Sequence, residues 1–193
     1  MFARFRAGFA AAAVALAALA APASAFEIGE DGLHKEAWFA ITFKDLAEDV
    51  ADAAAQGKRV ALVFEQRGCI YCAKLHEQVL SDPEVADYIK ANFMVIQMNL
   101  FGDEPVTDFD GEELPEKEMA RKWRVVFTPT IMFLPEEAPE GVSAVDAAVA
   151  NMPGAFGKWT TLHMFEWVAG KGYESDEHFQ KFHARRLQER GAL

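Results

Sequence analysis

The sequence predicts an α/β fold, a central mixed β-sheet flanked by helices, because apolar runs of strand length alternate with segments of helical spacing. Residues Arg59–Glu65 form a continuous apolar run, typical of a strand buried on both faces. Further strands are predicted over Phe93–Leu100 and over Val125–Leu134, the latter interrupted by Pro129. At 193 residues, the chain is expected to form one domain.

Helices are predicted between and after these strands. Apolar side chains at helical spacing from Phe43 to Ala54 indicate a helix that Gly57 ends. Further helices are predicted over 69–80, 83–91, 115–123, 162–169 and 176–189, the last capped by Ser175. The polar segment from Phe26 to Lys35 is expected to be an irregular lead-in.

Residues Met1–Ala25 have the pattern of a cleaved secretory signal peptide. Arg4 and Arg6 supply the positive start, an alanine-rich apolar stretch follows, and Ala23-Ser24-Ala25 is a small-residue cleavage site. An uncleaved membrane anchor is the alternative, but the apolar stretch is shorter than the ~20 residues that a bilayer core requires. We therefore expect residues 26–193 to form one exported, periplasmic domain, in a compartment where disulfides persist.

Composition excludes some functions. The chain has 30 acidic and 19 basic residues, a net charge of −11, which argues against nucleic acid as a partner. Two cysteines are too few for a disulfide-stapled miniprotein. The acidic segment 102–114 lacks the spacing of a calcium loop. We expect it to be a solvated hairpin insertion turning at Asp110-Gly111.

The chemistry is concentrated in Cys69-Ile70-Tyr71-Cys72, which lies between the buried strand and a helix. A helix N-terminus offers unpaired N–H groups that stabilise a thiolate, so Cys69 is the expected nucleophile, and nearby Arg67 would add positive potential. Three-residue spacing lets the two sulfurs join, but so small a loop contributes only about 2 kcal/mol as a staple. A redox-active dithiol is therefore favoured over a structural disulfide.

Metal binding is a second alternative, since His76 shares a helix face with Cys69 and Cys72. A closed zinc site needs four ligands, however, and no further Cys or His pair is spaced to complete one. Covalent haem attachment fails because Ala73, not His, follows Cys72. We expect neither a metal nor a cofactor beyond the Cys69–Cys72 disulfide itself.

From Phe43 to Leu134, the chain resembles the thioredoxin superfamily: a strand, a CxxC on a helix, and a later Thr128-Pro129 before a strand. The resemblance implies that Pro129 is a cis-proline lying against the dithiol and that Thr128 contacts substrate. It also implies that Ile70 and Tyr71, between the cysteines, face the partner chain.

The sequence is most similar to SoxW-type periplasmic thioredoxins of sulfur-oxidising bacteria, through Val63-Phe64-Glu65-Gln66, the acidic hairpin and the helical C-terminal extension. Unlike ordinary thioredoxins, it has no Gly-Pro between the cysteines and no Trp before Cys69. Val63 takes the place of the usual buried aspartate. Glu65, on the same strand face, is the candidate proton acceptor for Cys72, and a water-facing carboxylate is the alternative.

The sequence thus predicts a monomeric periplasmic thiol–disulfide oxidoreductase. The resemblance implies protein disulfide or persulfide substrates, a membrane thiol carrier of the DsbD or CcdA type as electron donor, and a role in sulfur oxidation. Two alternatives stay open at this point. The first is a thiol oxidant or isomerase of the same fold, and the second is a non-catalytic metal-binding module using the CxxC and His76.

Overall fold

The structure is a computed structural model that describes residues 26–192, so the predicted signal peptide Met1–Ala25 lies outside the described residues. In chain order its elements are β1 (Phe26–Ile28), β2 (His34–Glu36), α1 (Leu46–Ala55), β3 (Arg59–Glu65), α2 (Ile70–Leu75), a π-helix (His76–Leu80), α3 (Pro83–Asn92), β4 (Phe93–Asn99), β5 (Pro105–Thr107), β6 (Glu113–Pro115), α4 (Glu116–Lys122), β7 (Thr130–Phe133), α5 (Ala144–Ala147), β8 (Ala150–Pro153), α6 (Lys158–Ala169), a 3₁₀ helix (Gly172–Glu174) and α7 (Phe179–Glu189).

The central sheet has four strands in the order β4-β3-β7-β8. Strand β3 pairs in parallel with β4 and antiparallel with β7, and β7 pairs antiparallel with β8. The predicted mixed sheet flanked by helices is therefore confirmed. None of the helices within residues 26–192 is long and apolar enough to cross a membrane.

Strand β3 is buried along its whole length and divides the core in two. Val60, Leu62 and Phe64 face one apolar cluster, which includes α1 and α4, whereas Ala61 and Val63 face the other, which includes α3 and α6. This is the period-two alternation of a strand covered on both sides. By the same alternation, Glu65 points to the α3 and α6 side.

Two predicted segments differ from the structure near the N-terminus. The supposed irregular lead-in forms a β-hairpin, in which Phe26 pairs with Glu36 and Ile28 with His34. The prediction missed it because the two three-residue strands are too short to show a clear period. The first helix begins at Leu46 rather than Phe43, since Asp45 caps it by accepting from the N–H groups of Ala47 and Glu48.

The predicted strand over Val125–Leu134 is wrong in its first half. Strand β7 begins at Thr130, after Pro129, and the residues before the proline form a loop in which Val126 and Phe127 are exposed. Proline has no N–H for the ladder and restricts the residue before it, so pairing starts only beyond it. Strand β8 and helix α5 were not predicted, because both are only four residues long.

The acidic hairpin forms as predicted, with Val106 opposite Leu114 and Thr107 opposite Glu113, but it is not fully solvated. Asp108 is buried and holds the insertion to the rest of the domain. Its carboxylate accepts from the indole N–H of Trp123 at 2.8 Å and from the hydroxyl of Ser143 and the N–H of Ala144 at 2.7 Å. Although burial alone raises the pKa of Asp108, these donors and Lys122 outweigh it and lower that pKa.

Asp108→Ala is expected to lower the free energy of unfolding by about 2–4 kcal/mol, because it leaves several buried donors without an acceptor. Denaturant unfolding followed by circular dichroism measures the change. Glu113→Ala, at an exposed position of the same hairpin, is the control and should change stability by less than about 0.5 kcal/mol. Equal effects of the two variants would show that Asp108 does not anchor the insertion.

Helices α6 and α7 form the predicted C-terminal extension. Phe165 of α6 packs edge-on against Phe93 and Phe133 of the sheet, with ring centroids 4.8 and 4.9 Å apart. The last helix begins at Phe179, with His178 at its N-cap, not after Ser175. Ser175 was a wrong cap because its hydroxyl instead donates to the carbonyl of Gly172 and closes the preceding turn.

A pair of histidines joins α6 to α7. The Nδ1 atoms of His163 and His183 lie 2.8 Å apart, and His163 is fully buried. The pKa of His163 is lowered to about 4, chiefly by burial; Glu166 opposes the shift, and the neighbouring His183, Arg190 and Arg186 add to it.

Because the folded chain resists protonation of His163, its stability should be complete above pH 6.5 and should fall as the pH drops towards 4. We expect a loss of about 1–3 kcal/mol over that range, measured by denaturant unfolding at each pH. His163→Gln should flatten this part of the profile. An unchanged slope in that variant would assign the acid sensitivity to other groups.

Candidate active site at the dithiol

The two cysteines lie where β3 ends and α2 begins. Cys69 and Cys72 form a disulfide, with their Cα atoms 5.2 Å apart. Cys69 occupies the N-cap of α2, and its Sγ accepts the backbone N–H of Cys72 at 3.0 Å. A donor held at this distance also stabilises a thiolate on Cys69 once the disulfide is reduced.

The two sulfurs differ in access. Cys69 is 7% exposed, whereas Cys72 is completely buried beneath the first turn of α2. An incoming sulfur atom therefore reaches Cys69 first, and Cys72 can react only with a group already attached to Cys69. This is the difference that a nucleophile and a resolving thiol require.

The loop before β7 lies against Cys69. The Thr128–Pro129 peptide bond is cis, and the hydroxyl of Thr128 donates to Cys69 Sγ at 3.4 Å. Thr128 and Cys69, 59 positions apart in the chain, are thus in contact. Pairing of β3 with β7 produces this contact, because it places the start of β7 beside the end of β3.

Exposed apolar side chains lie on both segments that flank Cys69. Ile70 and Tyr71 follow it on α2, and Val126 and Phe127 precede Thr128. We call these four residues the apolar rim. The sequence analysis selected Ile70 and Tyr71 but missed Val126 and Phe127, which it had assigned to a strand. Their position immediately before the Thr-Pro pair was the sequence feature that could have identified them as part of the site.

The N-terminal hairpin forms the other wall of the site. The Arg67 guanidinium donates to the carbonyl oxygens of Glu30 and Asp31, so it ties the hairpin turn to the segment before Cys69. Between the hairpin and α2 runs an open groove of about 570 Å³ that Cys69 and Ile70 help to line. The hairpin was not part of the predicted site.

Glu65 does not face water, so the alternative favoured for it in the sequence analysis is wrong. It is fully buried, and its Oε1 lies 2.5 Å from Nε2 of His76. The other ring nitrogen of His76, Nδ1, lies 2.8 Å from Glu36 Oε1. Burial alone would lower the pKa of His76, but the hydrogen bonds and charges of Glu36 and Glu65 outweigh it and raise that pKa to about 9. The role of Glu65 as proton acceptor for Cys72 stays a prediction.

The metal alternative built on Cys69, Cys72 and His76 would require the reduced dithiol, because thiolates rather than disulfide sulfurs bind metals and both sulfurs are joined to each other in this structure. His76 contacts the carboxylates of Glu36 and Glu65. The sequence analysis missed Glu36 and the neighbouring His34, because His34 lies in the segment taken for an irregular lead-in and Glu36 follows that segment by one residue.

Comparison with known proteins agrees with this geometry. A family model described as a thioredoxin-like domain matches residues 46–149, more than half of the chain. Among curated proteins, no match was found. Similar solved structures include a thioredoxin from Thermus thermophilus (30% identity, 66% of this chain and 86% of that one, TM-score 0.51), a thioredoxin-fold protein from Helicobacter pylori (22%, 68% and 81%, 0.49) and the oxidised C-terminal domain of Neisseria meningitidis DsbD (16%, 66% and 96%, 0.43).

The family match spans the dithiol, the Thr128–Pro129 loop and strands β3, β4 and β7 of the central sheet, which are also the parts that the geometry brings together. The chain therefore belongs to the thioredoxin-like domain family.

Proposed function

We propose that this protein is an exported thiol–disulfide oxidoreductase that reduces protein disulfides or persulfides through Cys69 and Cys72. The observation that carries the proposal is the unequal pair of sulfurs. Cys69 retains a small exposed area, at a helix N-cap and next to Thr128, whereas Cys72 is completely buried. A structural staple has no need of this asymmetry, but a two-step exchange reaction depends on it.

The reaction follows from that arrangement. The Cys69 thiolate attacks one sulfur of a substrate disulfide, whose S–S bond breaks as its other sulfur leaves as a thiolate. The N–H of Cys72 and the hydroxyl of Thr128 stabilise the attacking thiolate. The Cys72 thiolate then attacks Cys69 Sγ, so the mixed disulfide breaks, the second substrate thiolate is released and the Cys69–Cys72 disulfide forms. Two electrons pass from the dithiol to the substrate.

Cys72 must lose a proton before this second attack, and it is buried. We assign Glu65 as the acceptor, because it is the carboxylate at the end of β3 and is hydrogen-bonded to His76, one helical turn after Cys72. The proton of Cys72 would then reside on Glu65, and the negative charge of the Cys72 thiolate would pass to the substrate thiolate that leaves.

Substrate protein would dock on the apolar rim and present its disulfide to Cys69, in contact with Thr128 and Pro129. The signal peptide of the sequence analysis supports action in the periplasm. There, a membrane thiol carrier of the DsbD or CcdA type would reduce the Cys69–Cys72 disulfide again, and the SoxW resemblance favours a substrate in sulfur oxidation. We propose that the protein acts as a monomer.

The order of attack is testable with reduced protein and the aromatic disulfide DTNB. The wild type should release two aromatic thiolates per chain, because Cys72 displaces the second one. Cys72→Ser should release one and keep the other as a stable mixed disulfide, visible as an added mass. Cys69→Ser should react at least about tenfold more slowly, since its remaining thiol is buried. Faster loading of Cys69→Ser than of Cys72→Ser would reverse the two roles.

The apolar rim is testable by comparing a protein substrate with a small one. Phe127→Ala should raise the KM for insulin reduction about three- to tenfold, as expected for truncating a buried interface aromatic, and should affect DTNB reduction much less. Phe43→Ala is the matched control, because Phe43 is 96% exposed and lies on the loop before α1. Equal effects of the two variants on insulin reduction would exclude the rim as the docking surface.

A further inference from the structure

Four buried polar side chains lie together behind the dithiol: His34 and Glu36 from β2, Glu65 from the end of β3, and His76 from the start of the π-helix. We call them the buried cluster. Nδ1 of His34 lies 3.5 Å from Oε2 of Glu65, and the rings of His34 and His76 stack with centroids 5.1 Å apart. One ligand atom from each of His34, Glu65 and His76 lies within 4.8 Å of the other two.

Burying two carboxylates is costly unless positive charge or hydrogen bonds compensate them. Oε1 of Glu65 has His76 as a partner, but Oε2 accepts no hydrogen bond from any residue in the described range 26–192 and is fully buried. This oxygen faces the imidazole of His34 within the cluster. Buried polar atoms rarely lack a hydrogen-bond partner, and a bound ligand would supply the missing partner of this oxygen.

We propose that His34, Glu65 and His76 bind one divalent transition-metal ion of the zinc type. Two imidazole nitrogens and a carboxylate oxygen are donors that zinc accepts at about 2.0–2.2 Å. Tetrahedral binding at those lengths places the ligand atoms roughly 3.4 Å apart, so side-chain shifts of about an ångström would close the site around the ion. The site departs from the sequence-based expectation of no metal, and it does not use the cysteines. Because the ion would occupy Glu65, the role of this carboxylate as proton acceptor belongs to the metal-free protein.

Glu36 supplies the outer contact that metal-bound histidines usually have. It lies on Nδ1 of His76 and also accepts the indole N–H of Trp38 at 3.2 Å, so its position is fixed. A carboxylate on one ring nitrogen orients the ring and leaves the other nitrogen for the metal, and here that other nitrogen, Nε2, faces Glu65.

The charges of the buried cluster also favour a dication. When metal binding displaces the proton held on His76, Glu36 and Glu65 are left as two carboxylates in a buried region. A divalent ion cancels both charges at their centre, where the cost of burying them is greatest. The backbone at His76 also changes from α- to π-helix, a local departure that is frequent at functional sites.

The inference goes beyond the proposed function and is tested without turnover, in the double variant Cys69→Ser/Cys72→Ser. Zinc is added to the metal-free full chain, bound metal is measured by equilibrium dialysis with elemental analysis, and the ligands are identified by X-ray absorption at the zinc edge. We expect one zinc per chain in this variant and in the oxidised wild type. The first coordination shell should contain nitrogen and oxygen and no sulfur.

Variants then assign the ligands. His34→Ala and Glu65→Gln should abolish stoichiometric binding, and Glu36→Gln should weaken it about 10- to 100-fold as an outer-contact change. His163→Gln, which alters a buried histidine elsewhere, is the matched control and should bind zinc as the wild type does. Circular dichroism checks that each variant is folded. If a variant of the buried cluster unfolds, the X-ray absorption spectrum of the double cysteine variant identifies the ligands by itself.

Two results would overturn the proposal. One is the absence of stoichiometric zinc in the double cysteine variant. The other is sulfur in the first shell of the wild type, which would assign the metal to Cys69 and Cys72. The DTNB reaction is measured on metal-free protein, so failure of the metal site and failure of the proposed oxidoreductase are told apart.

Discussion

The rest of the structure depends on the burial of β3 on both faces. The strand pairs with β4 on one side and β7 on the other, and alternate side chains enter separate apolar clusters. A register shift of one residue would exchange the two faces and send Glu65 away from His76. Because the strand is fixed in this way, the chain leaves the sheet at one defined point, and the dithiol begins four residues later.

The N-terminal hairpin makes the surroundings of the dithiol different from those of a bare CxxC helix. It brings His34 and Glu36 to Glu65 and His76, and Arg67 holds its turn from the other side. The buried cluster therefore draws its four side chains from three elements. A His76 imidazolium between two carboxylates reduces their combined negative charge.

The sequence predicted those features that local pattern determines. The apolar run of β3 and the Cys69–Cys72 spacing each lie within a few residues, and both are where they were expected. The features that the sequence did not reveal depend on tertiary contacts. The burial of Glu65 and Asp108 follows from partners 11 to 36 residues away, which local pattern does not reveal. Strands of three residues, such as β2, are too short to carry a period.

If the protein acts as proposed, recognition of a partner must work against the net negative charge of the protein. The chain carries a net charge of −11, yet the apolar rim presents uncharged side chains around Cys69. The net negative charge repels acidic partners. At ordinary salt, electrostatic interactions between exposed charges are screened beyond about 10 Å. Short-range apolar contact therefore decides which segment stays near the sulfur. Because Cys69 is only 7% exposed, that segment must also be extended enough to enter the groove beside the hairpin. A disulfide within an unfolded or flexible region would allow both apolar contact and entry of an extended segment into the groove. A disulfide in a rigid convex surface would not enter the groove.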